Sequence, residues 1–355
     1  MATLPSLVTF GSLGPLPTEE QVLQLQEEFQ RRGSLFRPIL KTVHDLDSVW
    51  AKLTDQDPAL SAIDGKDAIK KLEGILSGTV KEHIHDDMRN TIIAPMTILL
   101  QVAQYLSFVN GFGDPIHDSV LKSVAPKGGV QGLCVGLLSA QTVASATTVE
   151  DVVPIWCTSV ILAFCIGAYV DLEISSSNGN AASVTGFLHF EPPTTREDIH
   201  NVLINYENIY IPAYRDEQDM ILNAPIEVVS KLREDLSQHG ATFHEFSLPG
   251  KYHTPIHAHA PPKIIKACEG LLDSRFGRSE LVRSNVDGQT ISHQGAVRDV
   301  LEAILARRAN WVQAFGKAAQ SVDATSEHIL AVGGDSILQS VKNTHNIVRV
   351  QSIVG

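Results

Sequence analysis

Residues 152–170, VVPIWCTSVILAFCIGAYV, contain no charged side chain. A run of that length has two physical outlets: a helix across a bilayer, or a helix sunk in the core of a large globular domain. Pro154, Thr158 and Ser159 interrupt it, and Asp151 and Asp171 flank it. No Lys or Arg occurs between Lys127 and Arg196, so the cations that ordinarily anchor a spanning helix are missing. The reading is a buried core helix and no membrane partner. Such a helix needs a great deal of chain around it. The 355 residues supply one large domain with an insert, or two domains.

A hydrophobic content of 43% with 19% charged residues describes an ordered globular chain. The net charge of −12, without a dense basic run, argues against nucleic-acid binding. Cys134, Cys157, Cys165 and Cys268 follow neither zinc spacing nor a secreted disulfide framework. The first residues, MATLPSLVTFGSLGPLP, lack the basic and apolar regions of a signal peptide. Reduced thiols in a cytoplasmic protein are expected.

LVTF at 7–10 reads as a buried strand. Thr18 and Gln21 offer a capping box for a helix to about residue 32. Helical patterning returns near 44–54, 66–76 and 88–109, and SSSNGNAAS (175–183) reads as a linker. Beyond it the rhythm becomes strand 184–190, helix 195–207, two strands in IYIPAYR and DMILNAP, helix 226–240 and strand 241–248. That β-α-β-β-α-β order is ferredoxin-like. After Gly250 the chain returns to helices and one last strand, HILAV at 328–332. The expected fold is α/β: a large α/β-hydrolase-like domain (1–180 and 250–355) with an inserted small ferredoxin-like α+β subdomain (181–249).

GLCVG at 132–136 is the thiol form of a nucleophile elbow. The nucleophile occupies a strained strand-to-helix turn, and Gly132 and Gly136 let neighbouring backbone pass without a Cβ clash. The following helix aims its N-terminal amides at Cys134, which favours thiolate. The Val135 amide would face an oxyanion. A nucleophile of this kind needs a base. Among 14 histidines the best placed is His253, in LPGKYHTP, where the chain must re-enter the main domain.

Taken with FGSLG at 10–14, RSNVDGQ at 283–289, RANW at 308–311 and AVGGDSIL at 331–338, these segments run nearly end to end. In that order they resemble the acyltransferase superfamily of fatty-acid and polyketide synthases. The nearest likeness is to the starter-unit acyl-carrier-protein transacylase (SAT) domain of fungal non-reducing polyketide synthases of secondary metabolism. The resemblance implies a Cys134–His253 dyad, with His253 either taking the thiol proton or holding the thiolate as an ion pair. It implies a backbone carbonyl at Asn310 to orient the histidine and a second oxyanion amide at Leu13. Acyl-coenzyme A, or a partner synthase's acyl carrier, would acylate Cys134. An acyl carrier protein would then take the group on its phosphopantetheine, and a ketosynthase would follow in the full protein. No permanently bound cofactor and no metal are implied. Relatives selective for malonyl hold its carboxylate with an arginine, and Ile166 stands near that position here. A buried carboxylate without a partner is costly, so an uncharged acyl group is expected. Arg307, Arg308 and Lys251 are candidates for carrier docking.

Four other readings compete. GGDSIL at 333–338 resembles a carrier signature with Ser336 as the modified serine, but only 19 residues follow. HTPIHAH at 253–259 suggests a metal pair, His253 and His257, which Pro255 interrupts. A Cys-dependent thioester hydrolase of α/β-hydrolase type would place its histidine nearer the C-terminus. A non-catalytic docking domain would not need the dyad.

Overall fold

A computed structural model describes residues 4–13, 17–79, 89–111, 116–176, 183–246, 248, 250–291, 295–323, 326–333 and 346–350. Ser336 and most of the 175–183 stretch lie outside the described residues. The strands are β1 (Leu7–Phe10), β2 (Gly129–Gly132), β3 (Ser183–Phe190), β4 (Tyr210–Tyr214), β5 (Asp219–Pro225), β6 (Ala241–Phe246), β7 (Ala309–Asn310), β8 (His328–Val332) and β9 (Asn346–Val350). They form two sheets, ordered β2-β1-β8-β9 and β6-β3-β5-β4-β7.

Every pairing in the first sheet is parallel. Strand β1 lies inside it, and all four of its residues are buried, as a parallel strand covered on both faces requires. Phe10 pairs with Gly132 on one side and Val332 on the other, so the carboxyl ends of three strands are level. Crevices in open parallel sheets form outside such an edge. There the chain leaves β1 into Gly11–Leu13 and leaves β2 into Cys134. HILAV is β8 rather than the last strand, because β9 pairs beside it.

The uncharged run lies within the helix Val149–Ser176, which packs against the helices Asn90–Asn110 and Gly33–Gln56. Val149–Ser176 and Asn90–Asn110 are both long and apolar enough to cross a membrane, and the apolar window of each is 89% buried inside the protein. Gly167 permits the close crossing, since a Cβ there would lie 2.3 Å from the Asn90 carbonyl oxygen. Trp156 stands edge-on to Phe36 at 5.7 Å, and Phe36 stacks on Phe29 at 4.9 Å, which ties three helices together. Helix Glu19–Arg31 starts as the sequence predicts. Thr18 Oγ1 accepts from the Gln21 amide (3.2 Å), and Gln21 Oε1 accepts from the Thr18 amide (3.0 Å).

The second sheet has its own apolar core, which includes Leu188, Phe190, Ile199, Leu222, Leu232 and Phe243. Its β3–β5, β3–β6 and β4–β5 pairings are antiparallel. Helices Arg196–Leu203 and Val229–Gln238 alternate with β3 to β6 in the predicted order. The first helix stops at Leu203 rather than residue 207. Asn205 Nδ2 donates to the Asn201 and Val202 carbonyls, and Asn208 turns the chain at φ 61°. Strand β7, from well beyond residue 249, joins this sheet parallel to β4.

Candidate active site

Cys134 has φ 55°, a left-handed conformation that non-glycine residues rarely adopt. It leads directly into the helix Gly136–Ser145. The bend closes through the Gly136 amide to the Leu133 carbonyl (3.0 Å) and the Leu137 amide to the Cys134 carbonyl (3.0 Å). Neither flanking position has room for a side chain. A Cβ on Gly132 would lie 2.2 Å from the Gly136 oxygen, and one on Gly136 would lie 2.2 Å from the Gly11 oxygen. Gly136→Ala is therefore expected to destabilise the fold by about 3 kcal/mol. Calorimetric melting checks this, and a wild-type transition would contradict it.

The amides of Val135 and Leu13 lie close enough to the Cys134 sulfur to favour its charged form. They act together because β1 and β2 end level and the Gly11–Leu13 turn crosses the elbow. Two side chains hold that turn. Gln101 Nε2 donates to the Gly11 carbonyl (2.8 Å), and Ser139, on the elbow helix, donates to Gln101 Oε1 (2.7 Å). Sequence reading missed both residues, because polar side chains inside apolar helices give no local signal of their partners.

His253 is the second strained residue, at φ 57°. It caps a helix. The carbonyls at the end of Ala296–Leu305 have no partners within that helix. The His253 amide donates to Ile304 (3.0 Å), and the Thr254 amide donates to Leu305 (2.9 Å). His253 Nδ1 lies 2.8 Å from the Ala303 carbonyl and 3.2 Å from that of Arg307. Carbonyls only accept, so Nδ1 carries the proton and Nε2 keeps its lone pair. From the second sheet, the Tyr210 hydroxyl donates to the His253 carbonyl (2.6 Å) and pins the loop.

The orienting carbonyls are therefore those of Ala303 and Arg307, not that of Asn310. The Asn310 amide donates to the Asn285 carbonyl (2.8 Å), and its side chain caps the helix Trp311–Ala319. The imidazole sits on one carbonyl of the last helical turn and one just beyond the helix, and Asn310 caps the next helix.

Cys134 and His253 are each only 4% exposed. Burial pushes the thiol up to about 12, against the lowering effect of the two amides. It pushes the imidazole down to about 4, against the raising effect of the carbonyls. Near neutrality the Cys134 thiol and the His253 imidazole are thus each uncharged. Desolvation outweighs the amides that were expected to favour thiolate. The elements are close in space. Helix Ala296–Leu305, whose end His253 caps, packs on the elbow helix that follows Cys134.

A buried neutral histidine makes stability depend on pH. The unfolded chain takes up a proton below about pH 6.5, whereas folded His253 does so only near 4. Stability should be full above pH 6.5 and fall by about 3 kcal/mol toward pH 4. Buried His117 and His257, also pushed down by desolvation, add the same sign. Urea melts across this range check the fall, and His253→Asn should shrink it; Asn tolerates positive φ. An unchanged slope would contradict the assignment.

Ile166 is fully buried in the long helix, about two turns before Glu173. Of the cations considered for docking, Lys251 pairs with Glu173 (3.0 Å) and Arg307 lies 3.9 Å from Asp287. Arg308 donates to the Ile211 carbonyl (2.7 Å) and covers the rings of Tyr210 and Tyr214. His257 Nε2 faces the Lys251 carbonyl at 2.8 Å, away from any shared centre with His253. All four cysteines are free.

Solved structures of similar fold include the malonyl-CoA:acyl carrier protein transacylase of Helicobacter pylori, with TM-score 0.65 and 13% identity over 99% of this chain and 95% of that one. A malonyl-transacylase solved with a type II polyketide synthase acyl-carrier protein gives TM-score 0.63 and 14% identity over 98% and 96%. Among curated sequences, methylphloroacetophenone synthase of Cladonia uncialis is 37% identical over 99% of this chain. The 5-methylorsellinic acid synthase of Aspergillus terreus is 27% identical over 96%. The chain spans only 14% and 13% of the length of these two relatives. Residues 52–253, which contain Cys134 and end at His253, match the family described as starter unit:ACP transacylase in aflatoxin biosynthesis. That match covers more than half of the chain, and the protein belongs to the starter-unit:ACP transacylase family.

Proposed function

We propose that this chain is the starter-unit transacylase domain of a non-reducing polyketide synthase, and that it works through a thioester on Cys134. The observation that carries the reading is one strained, buried sulfur with the Val135 and Leu13 amides beside it, in a chain whose equally strained His253 has its Nδ1–H held by the Ala303 carbonyl.

The donor is an acyl thioester of coenzyme A or of another carrier. As Sγ attacks the acyl carbon, His253 Nε2 takes the thiol proton, and the carbonyl electrons move onto oxygen. The amides of Val135 and Leu13 stabilise that oxyanion. The Ala303 and Arg307 carbonyls hold Nδ1–H as imidazolium forms, at a helix C-terminus that favours positive charge. Collapse restores the carbonyl, breaks the donor carbon–sulfur bond and returns the Nε2 proton to the leaving thiolate. The phosphopantetheine thiol of an acyl carrier protein then repeats the sequence in reverse, and Cys134 leaves as the thiol. Both transfers exchange one thioester for another, so neither direction is strongly favoured.

Ile166 offers no partner to a carboxylate, which supports an uncharged acyl group. A ketosynthase in the same full-length protein is the next acceptor. The second sheet, with order β6-β3-β5-β4 and its own core, supports reading 181–249 as a ferredoxin-like insert in an α/β-hydrolase-like domain formed by 1–180 and 250–355.

The experiment follows radiolabelled acyl-coenzyme A in the presence of a phosphopantetheinylated carrier protein. Label should accumulate on the carrier, with little free acid. Predominant release of free acid would establish a hydrolase instead.

A further inference from the structure

Cys165 and Cys268 are 103 residues apart in the chain, and their sulfurs stand 3.8 Å from each other. Both are buried, and the mechanism above uses neither. Cys165 is on the long helix Val149–Ser176. Cys268 caps the end of the helix Ala260–Ala267, and its amide donates to the Ile264 carbonyl (3.0 Å). Other contacts hold these two elements together. Tyr169 is one turn beyond Cys165 on the same face, and its ring stands edge-on at 5.6 Å to His259, which caps the start of the second helix. Lys263, within that helix, pairs with Asp57 (2.6 Å). A surface hollow of about 360 Å³ adjoins the joint. Cys268 contributes to its wall, with Ile265, Lys266, Glu269 and Arg298. The contact with Cys268, together with burial, raises the Cys165 thiol well above the ordinary thiol range. That sulfur stays protonated until its partner has reacted.

We propose that Cys165 and Cys268 form an oxidation site, which hydrogen peroxide converts to a disulfide that staples the long helix to the helix following the His253 loop. A peroxide is little larger than water and enters the hollow. The Cys268 sulfur attacks one peroxide oxygen and the O–O bond breaks. The departing oxygen takes the thiol proton and leaves as water, and a sulfenic acid remains on Cys268. The Cys165 sulfur then attacks that sulfur. An S–S bond forms, the S–O bond breaks, and the hydroxyl leaves with the Cys165 proton as a second water. Two thiols are oxidised by two electrons in all, and one peroxide is reduced. Bonded sulfurs are about 2 Å apart, so the two side chains must approach by about 2 Å, and the hollow leaves Cys268 room to move. A link between residues so distant in the chain removes much entropy from the unfolded state. The proposal invokes neither Cys134 nor His253, so it stands or falls independently of the acyl-transfer reading.

The test treats the protein with hydrogen peroxide, alkylates the remaining thiols under denaturation, digests without reductant and maps the peptides by mass. The expected product is a cross-linked pair of peptides carrying Cys165 and Cys268, lighter by two hydrogens than the free peptides together. The melting temperature should rise by about 5 °C, and dithiothreitol should reverse both changes. Cys268→Ala should abolish the rise, whereas Cys134→Ala should keep the cross-link and the rise. The map is read on wild type, so it decides the matter even where Cys268→Ala does not fold. Recovery of both cysteines alkylated, or of Cys268 as sulfinic acid without a link, would overturn the site. A cross-link that leaves the melting temperature unchanged would overturn the staple.

Discussion

Cys134→Ala is expected to reduce acyl transfer to a carrier protein by about 10³-fold or more, while the protein still folds. Both halves follow from the geometry. The substitution removes one sulfur and keeps the Cβ, so the backbone strain at φ 55° is unchanged. The vacated space is small, and the stability cost is about 1 kcal/mol. The hydrogen bonds that close the elbow are made by backbone atoms of Leu133, Cys134, Gly136 and Leu137 and remain. What is lost is the atom that becomes acylated, and no other group can replace it in the proposed mechanism. Steady-state transfer assays with a melting curve check both halves. A variant that folds and retains more than a tenth of wild-type transfer would remove Cys134 from the mechanism.

The second large effect concerns the base. His253→Ala is expected to slow acylation of Cys134 by about 10²–10⁴-fold. A buried thiol pushed up to about 12 does not ionise unaided near neutrality, so its proton needs a local acceptor. The loss is not repaired by the backbone caps on Ile304 and Leu305, which survive the substitution. His253→Asn keeps a residue suited to φ 57° and should be as slow as alanine, which separates lost chemistry from lost conformation. Single-turnover acylation rates measure the effect. Near wild-type rates in the asparagine variant would sink the assignment of His253 as base.

The elbow was legible because its signal is local. Gly132 and Gly136 flank one cysteine where a strand gives way to a helix. Thr18 and Gln21 announced a helix start for the same reason. Contacts that span the chain were not legible. The hydrogen bond between Gln101 and Gly11 joins residues 90 positions apart, and that between Tyr252 and Asn90 joins residues 162 apart. Nothing near Gln101 or Asn90 in the sequence marks a partner. The orienting carbonyl was misplaced onto Asn310 because any residue offers a carbonyl. Only the structure shows that the His253 ring meets the Ala303 carbonyl, in the last turn of Ala296–Leu305, and the Arg307 carbonyl just beyond that helix. The protonation of Cys134 and of His253 was likewise hidden, since it depends on burial rather than on neighbouring residues in the chain.

Brief incubation with acetyl-coenzyme A, followed by acid quenching, proteolysis and mass mapping, tests the central claim most directly. The expected result is one acetyl group on the peptide that contains Cys134, removable by hydroxylamine and absent after Cys134→Ala. An acetyl group found on another residue, or equal labelling of wild type and Cys134→Ala, would contradict a thioester relay through this sulfur.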